Sequence, residues 1–268
     1  MKTLSPHYKI AINASIEASE EILRIYSQPF TKQIKADGSP VTSADFAASN
    51  IILQALETTN IPIIGEESTK SDYSIRKSWK KVWIVDPLDG TKEFLKRNGE
   101  FAVNIALVEN RNPIFGIIAH PVAKRVLVGG KGMGVYCFPF ADFEHPEQWM
   151  ELKRKEMNHP LKMISSRSHF HSTELDFIES LKKNHKEIEF IKKGSSLKFF
   201  DLAFGEADVY PRFAPTMEWD IASGQAILEA LGGEVVEVST NQPLEYNKEN
   251  LYNPFFIAKT HAYLVENE

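Results

Sequence analysis

The chain has 268 residues, of which 43% are hydrophobic and 25% charged, the composition of an ordinary globular protein. Its net charge is −5, from 31 basic and 36 acidic side chains, and it contains no basic tract. This balance disfavours polymeric nucleic acid as a partner, whereas an anionic small substrate is compatible because divalent cations reverse the local charge.

The single cysteine, Cys137, excludes an intramolecular disulfide and fits a reducing compartment. It lies in the apolar run Gly134-Val-Tyr-Cys-Phe138, which favours a buried strand thiol over a nucleophile. The N-terminal residues lack the apolar core of a secretion signal, and no stretch approaches about 18 continuous apolar residues. We therefore expect a cytoplasmic protein without a transmembrane segment.

The apolar spacing predicts a long amphipathic helix near residues 5–27 and a second helix from about 42 to 56, capped by Thr42 or Ser43. From Ile61 the period shortens to that of strands, and turn-forming residues separate the apolar runs, which is typical of an antiparallel meander. The predicted strands are 61–64, 82–85, 101–108, 113–119, 125–128 and 134–138. The first part of the chain therefore reads as two helices packed on a sheet.

A looser polar stretch at about 141–160 is the best boundary, dividing the chain into halves at 1–145 and 146–268. Beyond it, strands and helices alternate, which indicates a second α/β layer. The predicted strands are 161–165, 187–192, 207–212, 234–238 and 255–259, and the predicted helices are 173–181, 197–204 and 218–231.

Three acidic motifs follow or precede apolar elements: Gly65-Glu-Glu-Ser68, Trp83-Ile-Val-Asp-Pro-Leu-Asp-Gly-Thr91 and Glu218-Trp-Asp220. Carboxylates at the ends of buried strands lie where open sheets place ligand sites, and they are costly there unless paired or metal-bound. Taken singly, each motif also fits an acidic turn or a helix-start acid stabilised by the helix dipole. The inference depends on their combination.

The spacing in Asp86-Pro-Leu-Asp-Gly-Thr91 suits a hard cation. Pro87 restricts the backbone, so that Asp86, the Leu88 carbonyl and Asp89 can converge as oxygen ligands, which magnesium and manganese prefer. The amides of Gly90 and Thr91, at the start of the next helix, would receive a phosphate. An EF-hand is excluded, because placing Gly90 at loop position 6 puts Val85 at position 1.

Two other segments resemble ligand sites but have simpler interpretations. The glycine-rich run 129–134 lies between strand patterns with no helix after it, so a hairpin turn is favoured over a phosphate loop. His169 and His171 lack a third metal ligand at useful spacing, so they are interpreted as loop histidines.

The three ordered motifs resemble those of the inositol monophosphatase superfamily of lithium-sensitive, magnesium-dependent phosphatases. Within it, Asp86-Pro-Leu-Asp-Gly-Thr-Lys-Glu-Phe94 is similar to the CysQ-type 3′(2′),5′-bisphosphate nucleotidases. So are Ser166-Arg-Ser-His169, Gly194-Ser-Ser-Leu-Lys198 and Tyr210-Pro-Arg-Phe-Ala-Pro-Thr216. The visible departures are Glu218 beside the Trp-Asp pair and Ala214 where glycine is common. The resemblance implies an α+β fold, a layered αβαβα sandwich with the active site between its halves.

By the same resemblance, two or more magnesium ions, with manganese as a substitute, would be held at the acidic motifs. Glu66, Asp86 and the Leu88 carbonyl would hold the first ion, and Asp86, Asp89 and Asp220 the second. The catalytic assignments are Asp45 and Thr91, which would orient and deprotonate the attacking water, and Glu67, which would support the metal ligands.

The resemblance also implies the substrate contacts and the activity. Gly194, Ser195, Ser196, Lys198 and Arg212 would bind the non-reacting phosphate and ribose. The other substrate-facing residues would be Glu66, Leu88, Asp89, Gly90, Thr91 and Asp220. The expected reaction removes the 3′-phosphate of adenosine 3′,5′-bisphosphate, with 3′-phosphoadenylyl sulfate as a second substrate, and clears a by-product of sulfate assimilation.

Two alternatives remain at this point. The first is an inositol or sugar phosphate phosphatase, against which Lys92-Glu93 and residues 194–198 count. The second is an inactive nucleotide- or cation-binding regulator, which the retention of every expected ligand disfavours. The family resemblance further implies peripheral association with the inner membrane face, and no residue pattern indicates an oligomeric state.

Overall fold

The structure is a computed structural model that describes residues 4–29, 32–34, 40–165 and 172–267. Within these residues the helices are α1 (Pro6–Tyr26), α2 (Ser43–Glu57), α3 (Tyr73–Arg76), α4 (Thr91–Leu95), α5 (Ser172–Leu181), α6 (Lys198–Phe204), α7 (Glu218–Ala230) and α8 (His261–Asn267). The strands are β1 (Lys32–Ile34), β2 (Pro40–Thr42), β3 (Ile63–Gly65), β4 (Lys81–Asp89), β5 (Ala102–Glu109), β6 (Asn112–His120), β7 (Arg125–Gly130), β8 (Gly134–Pro139), β9 (Met150–Leu152), β10 (Leu161–Ser165), β11 (Ile188–Lys192), β12 (Val209–Arg212), β13 (Glu234–Glu237) and β14 (Phe256–Lys259).

Strands β3 to β9 form a seven-stranded sheet in which neighbours in sequence are neighbours in space. β3 and β4 are parallel, and every later pair is antiparallel. Along β4, Trp83 and Val85 pack in the core that contains α1 and α2, whereas Val82 and Ile84 pack in the core on the other face. Because both faces are buried, the strand reads as a continuous apolar run rather than an alternating one.

Strands β10 to β14 form a second, mixed sheet in the order β11-β10-β12-β14-β13. β10 is parallel to both β11 and β12, and β14 is antiparallel to both β12 and β13. The antiparallel members distinguish this sheet from the all-parallel sheet that simple strand–helix alternation would produce.

Five layers follow from the packing of the helices on the two sheets. Ile227 of α7 shares one core with Ile84 of the first sheet and Ala258 of the second, so α7 lies between the sheets. Ile178 of α5 and Tyr263 of α8 cover the far face of the second sheet. The α1 and α2 pair covers the far face of the first. This order confirms the predicted αβαβα sandwich of the α+β class.

Most predicted elements end within two residues of the observed ones, including the helices predicted at 5–27 and 218–231. The hairpin predicted at 129–134 is also confirmed, because Gly130 pairs with Gly134 at the start of the return strand. Cys137 lies buried on that strand, and burial raises the pKa of its thiol to about 11, which fits the expected structural role. Five short elements were not predicted, since none is long enough to show a hydrophobic period: β1, β2, α3, β9 and α8.

The predicted division after residue 145 stays a prediction. The short strand β9 comes after that position and pairs with β8 of the first sheet. Of the helices in the described part of the chain, none is both long enough and apolar enough to cross a membrane.

Candidate active site

Strand β4 carries three of the predicted ligands, Asp86, the Leu88 carbonyl and Asp89, and here one prediction was wrong. We expected the strand to end at Val85, but it continues through Asp86 to Asp89. Asp86 pairs with Asn104 and Asp89 pairs with Ala102, so β4 has one residue more than β5 in this interval. Such a bulge accommodates Pro87, which has no N–H for the ladder. The Leu88 N–H turns instead to the Asp86 carboxylate, at 3.0 Å.

Asp220 approaches these two acids from α7, the helix between the two sheets. It lies in the first turn of α7, and its carboxylate accepts a hydrogen bond from the Met217 N–H at 2.8 Å. Carboxylate oxygens of Asp86, Asp89 and Asp220 lie within 4.8 Å of one another. The fold therefore brings together three predicted ligands that are up to 134 positions apart in the sequence.

The electrostatics of this cluster favour a bound cation. Burial, together with the charges of Glu66, Asp89 and Asp220, raises the pKa of Asp86 well above its usual range. Burial and the charge of Asp89 raise the pKa of Asp220 to about 8. Crowded carboxylates resist ionisation in this way unless a positive charge compensates them. An all-oxygen donor set suits a hard divalent cation, so the residues present fit the metal that the sequence predicts.

Glu66 and Glu67 lie in the turn that follows β3. The Glu66 N–H donates to the Val85 carbonyl at 3.0 Å, which places Glu66 beside the residue before Asp86. Among the described residues, Glu66 is not in the set of three within 4.8 Å, but its charge contributes to the raised pKa of Asp45, Asp86 and Asp220. Glu67 is partly buried in the same turn.

Asp45 and Thr91 form a pair next to this cluster. The Thr91 hydroxyl donates to the Asp45 carboxylate at 3.1 Å, and the Leu88 carbonyl lies 3.4 Å from the same hydroxyl. The other Asp45 oxygen accepts from the backbone and the side chain of Thr42, at 2.7 and 2.6 Å, and caps α2. Burial raises the pKa of Asp45, and these hydrogen bonds partly offset the effect.

The Gly194–Ser196 turn contacts Asp89 directly. The Ser195 hydroxyl donates to the Asp89 carboxylate at 2.6 Å, and the Ser196 N–H donates to the same oxygen. Gly90, at φ +94°, lies between Asp89 and α4, and a side chain there would meet the Glu100 carbonyl. In this structure the serines predicted to bind substrate therefore hold a predicted metal ligand.

A cavity of about 260 Å³ opens beside the cluster, lined by both acids and cations. Its charged lining residues are Asp89, Lys92, Glu93, Lys193, Lys198, Arg212 and Asp220. The Lys198 ammonium donates to the Ser195 carbonyl at 2.9 Å, and burial lowers its pKa to about 8 despite the charge of Asp89. Arg212, at the end of β12, donates to the Pro215 carbonyl at 3.5 Å.

Two residues near the site were missed in the sequence. Asn104 accepts from the Ser196 hydroxyl at 2.7 Å, and its amide lies 3.5 Å from the Asp89 carboxylate. Glu100 accepts from the Gly194 N–H at 2.8 Å and so holds the turn from its other end. A lone amide inside the apolar strand 101–108 was the available signal for Asn104. The predicted residues 166–169 and His171 lie outside the described residues.

The comparison with protein families decides the relationship. Residues 3–266 match the model of the inositol monophosphatase family. The chain belongs to the inositol monophosphatase family. Enzymes of this family depend on metal ions, and the acids Asp86, Asp89 and Asp220 are compatible with that dependence.

Within the inositol monophosphatase family, similar proteins carry the name 3′(2′),5′-bisphosphate nucleotidase CysQ. That of Salmonella typhimurium is 38% identical over 244 residues, covering 89% of this chain and 94% of the relative. That of Buchnera aphidicola is 41% identical over 222 residues, covering 80% and 78%. The crystal structure of CysQ from Bacteroides thetaiotaomicron is 43% identical, with a TM-score of 0.83 and coverage of 94% and 96%.

Proposed function

We propose that this protein is a magnesium-dependent 3′(2′),5′-bisphosphate nucleotidase, which hydrolyses adenosine 3′,5′-bisphosphate to AMP and phosphate. The observation that carries the proposal is a single cavity whose lining includes the acids Asp89 and Asp220 together with the cations Lys198 and Arg212. In a bisphosphorylated nucleotide, one phosphate would bind to the metal ions at the acids and the other would bind to the cations. The CysQ names of its relatives, at 38–43% identity over most of the chain, support the same activity.

The acids would hold the cations as the sequence predicts. Glu66, Asp86 and the Leu88 carbonyl are assigned to one magnesium ion, and Asp86, Asp89 and Asp220 to the other. Bound divalent ions would neutralise the phosphate and lower the pKa of a water molecule. Ser195 and Ser196, by donating to one Asp89 oxygen, would fix the direction in which the other oxygen points.

Asp45 and Thr91 are assigned to the attacking water. With its proton donated to Asp45 at 3.1 Å, the Thr91 oxygen is free to accept a hydrogen bond from that water. The raised pKa of Asp45 makes it a better base than an exposed carboxylate, and the proton would pass to it through Thr91. The water oxygen would bond to the 3′ phosphorus as the P–O3′ bond breaks. The 3′ oxygen would take its proton from bulk water, and Asp45 would release the proton that it received to solvent.

The second phosphate would be bound by Lys198 and Arg212 through charge-assisted hydrogen bonds. Burial of the Lys198 ammonium removes competing water and strengthens its attraction for an anion. The same cations would meet the corresponding phosphate of 3′-phosphoadenylyl sulfate, which we propose as a second substrate. Cytoplasmic location remains a prediction from the sequence, and peripheral membrane association remains a prediction from the family resemblance.

Substitution of Asp86 tests the metal assignment. Asp86 is the only residue assigned to both ions. The substitution Asp86→Asn should therefore reduce kcat by at least about 10³-fold, as expected on losing a strong electrostatic stabiliser. No other single ligand substitution should cost as much. Activity that depends on added magnesium in the wild type but survives in Asp86→Asn would refute this assignment. A wild-type protein that binds metal and nucleotide without releasing phosphate would instead support the alternative of an inactive regulator.

A further inference from the structure

The side chain of Glu218 is completely buried, although it is a carboxylate two residues before Asp220. One carboxylate oxygen accepts from the Asn247 N–H at 2.6 Å. The other accepts from the Lys248 N–H at 3.0 Å and from its ammonium at 2.5 Å. Both oxygens are therefore acceptors for the chain at 247–248, which accounts for an acid at a position where the motif itself does not need one.

Arg76 of α3 holds the same short segment from the other side. Its guanidinium donates to the Asn247 side-chain oxygen at 3.0 Å and to the carbonyls of Lys248 and Glu249 at 2.5 and 2.7 Å. The Asn247 amide donates back to the Arg76 carbonyl at 2.7 Å. Arg76 and Asn247 are both buried, so the segment is fixed between α3 and the start of α7.

Further hydrogen bonds extend the connection to the residues next to Asp220. The Glu218 N–H donates to the Leu251 carbonyl at 2.9 Å. The Asn253 amide donates to the Met217 carbonyl at 2.7 Å, and its N–H donates to the Thr216 carbonyl at 2.8 Å. Residues 216–218, where α7 begins, are thus attached to residues 247–253.

Arg76 precedes β4 by five residues, and its carbonyl accepts from the Trp79 N–H at 3.0 Å just before that strand begins. These contacts join the chain just before β4, the strand that carries Asp86 and Asp89, to the start of α7, the helix that carries Asp220. A second and longer contact joins α7 to β5, the neighbour of β4: the Asn104 amide lies 3.5 Å from the Trp219 carbonyl.

We propose that Glu218 and Arg76, acting through Asn247, are positioning residues that set the distance of Asp220 from the acids of β4. The inference rests on the proposed metal site, because this distance matters for function only if the three acids share cations. A small displacement of the α7 turn would move one carboxylate out of the ligand set without disturbing the other two. The expected consequence is a specific loss of metal affinity.

Glu218→Gln tests this directly. Glutamine has the size of glutamate, but an NH₂ group replaces one of its two oxygens. That NH₂ would face a hydrogen-bond donor of Asn247 or Lys248 instead of accepting from it, so the 247–248 segment must shift. We expect the dissociation constant for Mn²⁺, measured by calorimetry on the metal-free full chain, to rise at least about tenfold, as is usual for residues that support metal ligands. Activity should return as the metal concentration is raised. Arg76→Lys, which keeps the charge but loses the planar fork, should act in the same direction.

Glu229→Gln is the matched control, because it lies on the same helix and also accepts a side-chain hydrogen bond, from Gln225 at 2.7 Å. Eleven residues, or about 16 Å of helix, separate it from Glu218, so its Mn²⁺ affinity should not change. Melting temperatures measured without metal identify any variant that fails to fold, and Arg76→Lys decides the matter if Glu218→Gln is such a variant.

If folded Glu218→Gln and Arg76→Lys bind Mn²⁺ as tightly as wild type, the contacts serve stability alone and the inference is wrong. A wild-type chain that binds no divalent cation would defeat the proposed function first, and the positioning role with it.

Discussion

The Ser195 hydroxyl donates to the Asp89 carboxylate at 2.6 Å, across 106 positions of sequence. This contact joins the turn that lines the cavity to the acids of β4, so the expected substrate site and the expected metal site share a residue. The same Asp89 oxygen also accepts a hydrogen bond from the Ser196 N–H. Binding of metal and binding of substrate should therefore be coupled.

Ser195→Ala measures that coupling. Ser195 has φ +57°, and alanine is strained there to a similar degree, so the substitution isolates the hydroxyl. Because Asp89 loses a donor that orients it, we expect metal affinity to fall about tenfold, with little change in melting temperature. Titration of Mg²⁺ into the activity assay and calorimetry with Mn²⁺ would check this. Unchanged affinity in both would mean that Ser195 contributes only to the turn.

Thr91→Ala separates water activation from metal binding. The hydroxyl bonded to Asp45 is expected to act mainly in the transition state, so kcat should fall sharply while magnesium affinity changes little. Thr91→Ser, which retains the hydroxyl, is the matched control and should keep most of the activity. A Thr91→Ala variant that lost metal binding but kept its rate at saturating metal would show that the role is misassigned.

Arg212→Ala tests recognition of the second phosphate. Losing one charge-assisted bond should cost about 1.5–3 kcal/mol in kcat/KM for adenosine 3′,5′-bisphosphate, or roughly 10–150-fold. The penalty should largely disappear for 3′-AMP, which lacks the 5′-phosphate. Lys198→Ala should show the same preference less cleanly, because Lys198 also holds the Ser195 carbonyl. Equal losses of Arg212→Ala on both substrates would contradict a recognition role.

The stability of the metal-free protein should fall as the pH rises. Folding raises the pKa of Asp220 from 3.8 to about 8 and raises that of Asp86 as well, so the folded state binds more protons than the unfolded chain across that interval. The free energy of unfolding therefore decreases from about pH 4 to pH 8. Bound cations compensate the carboxylates, so the gain in melting temperature on adding Mg²⁺ should be larger at pH 8 than at pH 5.5.

The rise in melting temperature on adding Mg²⁺ should be larger at pH 8 than at pH 5.5 by at least about 2–4 °C, since about 1 kcal/mol of stabilisation shifts the melting temperature by that amount in a chain of this size. Asp220→Asn removes one of the titrating groups and should reduce the difference. If the rise in melting temperature on adding Mg²⁺ were equal or larger at pH 5.5 than at pH 8, the proposed binding of cations by the carboxylate cluster would be contradicted.

The local features of the fold could be predicted from sequence, whereas its long-range contacts could not. Apolar periodicity located α1 and α7, and the glycines at 129–134 located a hairpin, because neighbouring residues determine both. The extension of β4 past Pro87 was missed because a bulge depends on the partner strand. Contacts such as Arg76 with Asn247 join residues 171 positions apart and leave no local pattern.

The same distinction applies to the site. The acids Asp86, Asp89 and Asp220 were identified from motifs, and the fold brings them within 4.8 Å. The supporting residues Asn104 and Glu100 were not, because their importance arises only when the turn at Gly194 folds against β4 and β5. The motifs predicted the charged groups of the site, whereas the residues that position those groups are determined by packing between distant parts of the chain.

The most direct test of the central claim compares two substrates. Phosphate release by the wild-type chain would be measured with adenosine 3′,5′-bisphosphate and with inositol 1-phosphate, each with saturating Mg²⁺ and with the metal chelated. We expect a higher kcat/KM for the bisphosphate, and no release of phosphate from either substrate without metal. A preference for inositol 1-phosphate would contradict the nucleotidase assignment, and release that persists without metal would contradict the metal-dependent mechanism.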